Sequence, residues 1–442
     1  MSKIARALAL ADAHPHDFTL QYPPRREYFQ DCFRAKPSRA RFDDVERALV
    51  YVHVPFCAQR CAYCNFAVDL GADEARRARY VDAIVEGLER FERELPTSAR
   101  ISGIDVGGGT PMLLSQRELT RLLRGLAPLR ARCDHPRPLS IETTPEIAAN
   151  EPEKLHLVRE LGVGRVSLGV QSASSELLQA MRRTPRIDAH ARAMEVLRRA
   201  GFSRVNLDLI FALPGQTEAI WSQDLAHAIA LDPDSITTYD CLYRGRGRAL
   251  TRRALTMPSP STYGALYEIA RDELGRAGFA SPYGSVNHSR HPGETGTSAY
   301  FEARLLDGAP YVGIGDYASS HRGDRWSFAV RGVDRFIAAS RDDADAVSDS
   351  YVLAREETMA KYALSSLSFG FLDRARFQRR FGARLEAWFG DELSYACARG
   401  WLEDDGRIVS VRRGAFGAMP WVRSLFYSER AVGWLEGVRA AR

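Results

Sequence analysis

Lysine is nearly absent from this chain: of 61 basic residues, only Lys3, Lys36, Lys154 and Lys361 are lysine. The arginines that carry the rest are interleaved with acids, as in RRARYVDAIVEGLERFERE, and read as solvated helix faces rather than a phosphate-tracking stripe. A formal net charge of +5 therefore does not point to nucleic acid. No apolar run approaches the roughly 20 residues of a membrane span. The opening MSKIARALALADAHPHD meets His and Asp before any cleavage-like site, so a soluble, cytoplasmic protein is expected. Seven cysteines, an odd number with three crowded together, argue against a disulfide framework and for a reducing compartment. The chain also lacks the G-x-G-x-x-G spacing of a dinucleotide fold and the G-K-[ST] of a P-loop.

At 442 residues and 45% hydrophobic content, the chain can fill one large domain with appendages or two domains. Residues 1–48 are polar and punctuated by proline, and read as an arm packed on a domain. From ALVYVHV onward, β-rich runs alternate with amphipathic helical runs in six β-then-α units, ending at SITTYD and STYGALYEIARDELGRAG. Such alternation implies an α/β fold with a parallel sheet and right-handed crossovers, here an incomplete (β/α)6 barrel over 49–280. A Gly-, Ser- and His-rich loop and a late strand at PYVGIGDYASS follow over 281–345. Residues 346–442 form a small, mostly helical domain, with helical runs at YVLAREETMAKYALSSL, RARFQRRFG and RLEAWFGDELSYACARG, then a winged-helix-like β-wing. In barrels of this kind the active site lies at the carboxyl ends of the strands. That places Cys57, Gly107 to Pro111, Glu142, Gln171 and Asp208 at one mouth.

Cys57, Cys61 and Cys64 in YVHVPFCAQRCAYCNF are spaced by three residues and then two, which suits a cluster held by three thiolates. A [4Fe-4S] cube normally takes four cysteines, so one iron would be open to another ligand. Zinc with His53 as fourth ligand is an alternative, although structural zinc sites usually add a second ligand pair that is missing here. A plain structural role is a further one. The GGGTP run at 107–111 ends a strand and lets the backbone approach a ligand, or makes only a tight turn.

Taken in order, CxxxCxxC with Tyr63 before the last Cys, GGGTP, SIETTP, SLGVQS and NLDLIFALPGQT strongly resemble the radical S-adenosylmethionine (SAM) superfamily. Within it the resemblance is to the oxygen-independent coproporphyrinogen III oxidase family and its relatives, over about residues 49–245. It implies a [4Fe-4S] cluster on Cys57, Cys61 and Cys64 and reductive cleavage of bound SAM to a 5′-deoxyadenosyl radical, with flavodoxin or ferredoxin as electron donor. By the same resemblance, Tyr51, Gly108 and Glu142 match positions that hold the first SAM. Tyr63, Gly109, Thr110, Gln171, Arg183 and Asp208 match positions around a second.

Phe66 stands where the oxidase has a further Cys, and TSAYFEARL stands where the related haem chaperone has a His-Asn-x-x-Tyr-Trp signature. The leading expectation is thus a class C radical methyltransferase or cyclopropanase, moving one carbon from the second SAM to an sp² carbon of an aromatic or conjugated natural product. A partner methyltransferase could complete the reaction. His288, His291, Tyr317 and His321 are candidate proton-handling groups. The alternatives are coproporphyrinogen oxidation, radical methylation that opens a haem ring, and a haem-carrying chaperone.

Overall fold

The computed structural model describes the chain apart from residues 14–21, 23–25, 242, 244–256, 282, 342–345 and 441–442. Its strands are β1 (Arg34–Ala35), β2 (Arg47–Val54), β3 (Phe56–Cys57), β4 (Asp69–Leu70), β5 (Arg100–Gly108), β6 (Leu139–Thr143), β7 (Arg165–Gln171), β8 (Val205–Phe211) and β9 (Ser235–Asp240). They continue with β10 (Asn287–Ser289), β11 (Tyr311–Gly315), β12 (Ser319–Arg322), β13 (Arg325–Ala329), β14 (Val347–Val352), β15 (Phe371–Asp373), β16 (Leu402–Asp404) and β17 (Ile408–Val411). The main sheet has the order β1-β14-β13-β12-β11-β2-β5-β6-β7-β8-β9-β10.

Neighbours from β2 to β9 in that order pair in parallel, with a helix in each crossover, so the six expected units form the expected incomplete barrel. A seventh parallel strand, β11, pairs with β2. The crossover helices begin where short polar side chains satisfy free backbone donors. Asp73 caps helix Glu74–Glu94, and Ser115 and Glu118 form a reciprocal capping box on helix Gln116–Ala131.

Strand residues alternate between faces. Val50, Val52, Ile104, Val106, Ile141, Val166, Leu168, Leu207 and Ile236 belong to the main core with the apolar stripes of the helices, for example Tyr80, Ile84, Leu88 and Phe91. The opposite face is polar. Asp105 pairs with Ser140, Ser140 with Arg165, Glu142 with Ser167, Ser167 with Asn206, and Asp208 with Thr237. The barrel thus keeps its apolar packing outside the sheet and a charged, hydroxyl-lined interior.

Three features differ from the sequence reading. The 281–300 loop contains β10, antiparallel to β9. The late strand opens an antiparallel meander, β11 to β14, on the far side of β2. Tyr351 and Val352, expected to start a helix, end β14; the helix runs Arg355–Ser366. The carboxyl-terminal region carries the β15-β17-β16 sheet among helices. Its last two helices, Met419–Leu425 and Glu429–Ala440, pack against helix Lys3–Ala13, with Lys3 Nζ donating to the Leu425 carbonyl at 2.9 Å and Trp421 Nε1 to Asp12 at 2.6 Å. Among the described residues before β2, β1 pairs with β14. No helix among the described residues is long and apolar enough to cross a membrane.

Candidate active site

The three cysteines sit on the segment that leaves β2, and all are free thiols and partly buried. Backbone bonds tie this segment to the glycine run: Gly109 N–H donates to the Val54 carbonyl at 2.8 Å and Thr110 N–H to the Phe56 carbonyl at 2.7 Å. The approach is close enough that a Cβ on Gly109 would lie 2.6 Å from the Phe56 oxygen. Ala62 N–H donates to the Met181 carbonyl at 2.8 Å, anchoring the loop to the region after β7. Burial pushes the Cys57 thiol up to about 11 and raises Cys64, so ionising these thiols needs a cation or metal centre. Among the described residues no three His, Cys, Asp or Glu side chains converge as a single ion requires. His53, the proposed fourth zinc ligand, places Nε2 2.8 Å from the Ala67 carbonyl and Nδ1 3.3 Å from the Tyr51 hydroxyl. Both ring nitrogens are engaged, which corrects the zinc alternative.

Below the cysteines lie three carboxyls. Glu142 accepts from Gly108 N–H at 3.2 Å, and burial together with Asp208 pushes it up to about 8. A Cβ on Gly107 would sit 2.5 Å from Glu142 Oε1, so glycine there leaves room for the carboxylate. Asp208 accepts from Ser167 Oγ at 2.9 Å and Asn206 Nδ2 at 2.8 Å, and burial raises it to about 6. Asp105 accepts from Ser298 Oγ at 2.7 Å while its other oxygen, buried, has no partner. Carboxyls so poorly compensated suit a ligand bearing an ammonium, a sulfonium or hydroxyl donors. Arg183 donates to the Gly169 carbonyl and lies 3.5 Å from the Tyr63 hydroxyl and 4.0 Å from Cys61 Sγ. Gln171 closes β7 at φ +70°, where the register shifts against β8.

The structure thus brings Cys57, Cys61, Cys64, Tyr51, Tyr63, Gly108, Gly109, Thr110, Glu142, Gln171, Arg183 and Asp208 to one mouth and the interior beneath it. The histidine and tyrosine candidates are not brought there. His288 pairs with Ile236, an outward-facing core residue, and lies fully buried with both ring nitrogens unpartnered, pushed down to about 3. His291 bonds Asp234 at 2.8 Å, just before β9 and so at the amino end of the barrel. Tyr317 lies beneath the Arg26 and Arg331 guanidiniums at 4.7 and 5.1 Å and against Phe328. His321 is buried against Tyr311, at the amino end of β11. Asp105 and Asn206 also face this interior, and the inward alternation of ISGIDVGG and NLDLIF marks both.

The sequence profile of the Radical SAM superfamily matches residues 51–226. The chain is 30% identical over 369 residues to the heme chaperone HemW of Lactococcus lactis, covering 83% of this chain and 93% of that one. This chain belongs to the radical SAM superfamily, in its coproporphyrinogen III oxidase and haem chaperone family. It is also 32% identical over 240 residues to the anaerobilin synthase of Escherichia coli O157:H7, spanning 53% of this chain and about half, 52%, of that relative. The structure of coproporphyrinogen III oxidase from Escherichia coli superposes with a TM-score of 0.71 at 20% identity, covering 88% of this chain and 91% of that one. The fold is therefore shared with that oxidase, and a [4Fe-4S] cluster and SAM are the cofactors of the family.

Proposed function

We propose that this protein is a radical SAM enzyme acting on a tetrapyrrole, with two SAM molecules held in the barrel mouth. The observation that carries the two-molecule reading is the pair of half-buried carboxyls, Glu142 on β6 and Asp208 on β8, with Arg183 between Cys61 and the Gly169 carbonyl. Cys57, Cys61 and Cys64 would hold the cluster. When bound, the cluster and SAM supply an electron and a 5′-deoxyadenosyl radical. Glu142 and Gly108 would orient the first SAM through its amino group. Asp208 and Arg183 would hold hydroxyl and carboxylate groups of the second. The tetrapyrrole rests on the relatives: a heme chaperone covering most of this chain and an anaerobilin synthase. Phe66, in place of the oxidase's further Cys, favours adding a carbon to the macrocycle over oxidative decarboxylation.

Anaerobic incubation of reconstituted protein with SAM, reductant and either haem or coproporphyrinogen III tests this. Haem should stimulate 5′-deoxyadenosine and S-adenosylhomocysteine in equal amounts and yield a product one carbon heavier. Decarboxylated coproporphyrinogen would instead assign the oxidase reaction, and haem binding without SAM turnover the chaperone. No response to either tetrapyrrole overturns the reading. A natural-product methyltransferase or cyclopropanase would use the same two-carboxyl pocket. Deuterium passing from methyl-deuterated SAM into 5′-deoxyadenosine with an aromatic substrate, and with no tetrapyrrole effect, would favour it.

A further inference from the structure

We infer that the joint between the β11–β13 meander and the carboxyl-terminal helices is a carboxylate-binding site, built from Arg304, Lys361 and Arg380 with the imidazole of His321 and the indole N–H of Trp326. Tyr311 pairs with Leu49 across β11 and β2, His321 with Tyr311, and Trp326 with His321. These side chains therefore continue the inner face of the barrel that carries Tyr51. Three cations converge on this face. The Arg304 guanidinium lies 4.3 Å from the Tyr311 ring centre and bonds the hydroxyls of Tyr300 and Tyr311 at 3.3 and 3.4 Å. Lys361, on helix Arg355–Ser366, places Nζ 4.1 Å from the Trp326 ring centre. Arg380, on helix Arg374–Phe381, donates to the Gly308 carbonyl and lies 5.7 Å over Tyr362.

None of the three makes an ion pair among the described residues, a contrast with the many arginines that do. Asp105 feels the charge of Arg304 but makes no ion pair with it, and Asp307 is paired with Arg376 at 2.9 Å. Arg380 Nε, His321 Nε2 and Trp326 Nε1 are buried with no hydrogen-bond partner. Buried polar atoms left open beside uncompensated cations cost stability unless a ligand fills them. The fields agree: burial and Arg304 push Lys361 down to about 7, and Lys361, Arg380 and Arg304 add to burial in holding His321 well below the usual imidazole range. A planar carboxylate matches the arginine forks, and the flanking Tyr311, Trp326 and Tyr362 rings suit the apolar body that bears it. If the tetrapyrrole reading holds, that carboxylate belongs to an acidic side chain of the macrocycle; the site itself does not depend on it.

Because only four lysines exist, reductive methylation with ¹³C-formaldehyde should give four dimethyl-lysine NMR signals, with Lys361 assigned by Lys361→Arg. Glutarate should shift the Lys361 signal and raise its apparent pKa, whereas chloride at equal ionic strength should not. Arg380→Gln and Arg304→Gln should weaken that response roughly tenfold, with the other three signals reporting an intact fold. A Lys361 signal unmoved by glutarate, or moved equally by chloride, overturns the proposal, as does inorganic phosphate acting at lower concentration than glutarate. Mesoporphyrin should compete with glutarate and bind roughly tenfold tighter than its dimethyl ester. A response to glutarate with no porphyrin binding leaves the carboxylate site standing and sinks the tetrapyrrole substrate.

Discussion

Glu142 is half-buried with one backbone donor and two acidic neighbours, so the barrel favours its protonated form. With a folded value of about 8 against an ordinary 4.5, the native state keeps a proton that the unfolded chain releases between those limits. Its contribution to stability is therefore fully present below the ordinary value and is lost as pH rises through about 8. Melting temperatures across that window should fall for the cofactor-free wild type and fall less for Glu142→Gln, and saturating SAM should flatten the wild-type slope. Cys61 makes a different prediction, because its loop is anchored by backbone bonds and not by the thiol. Cys61→Ala should keep the far-ultraviolet circular dichroism of the wild type while reconstituted iron drops from about four per chain to less than one. These two residues were legible because each lies in a motif at a strand end. His288 was not: ring chemistry marked it as a candidate, but only the pairing with Ile236 shows that it faces the core.

At the scale of elements, the six β-then-α units were readable because each strand is rich in β-branched or apolar residues and each helix carries an apolar stripe. β2 and β8 show why: nearly every residue of each is buried, so the strands stand out by hydrophobicity. β10 and β12, with sequences NHS and SSHR, are too short and polar to carry a period. β14 ends in the same residues that seemed to open the next helix. That helix is tied to the arm by Glu357, whose carboxylate accepts from the buried Tyr28 hydroxyl at 2.7 Å and from Tyr22. Replacing Glu357 with Ala strips both phenols of their charged acceptor, and urea titration should show a loss of about 2 kcal/mol.

Across the whole molecule, the apolar core lies between sheet and helices while the barrel interior is polar, so chemistry and packing occupy opposite faces of the same strands. The fold class followed from periodicity, but the polar interior required register, because the strands' apolar residues dominate their sequences. Among its described residues the arm, read as packed on a domain, joins the meander through β1 and the last two helices through helix Lys3–Ala13. Removing residues 1–35 should therefore leave the cluster segment folded while hydrogen exchange accelerates in helices Met419–Leu425 and Glu429–Ala440 and in β14, as mass spectrometry would read. Among the described residues the twelve-stranded sheet is bounded by β1 and β10, strands of two and three residues. Such short margins offer little backbone for another chain to pair with. Until the arm docks, the six residues of β14 form an open rail along that edge. Intermolecular strand addition then competes with native closure, so the yield of soluble protein on refolding should be set by how fast its first helices find its last.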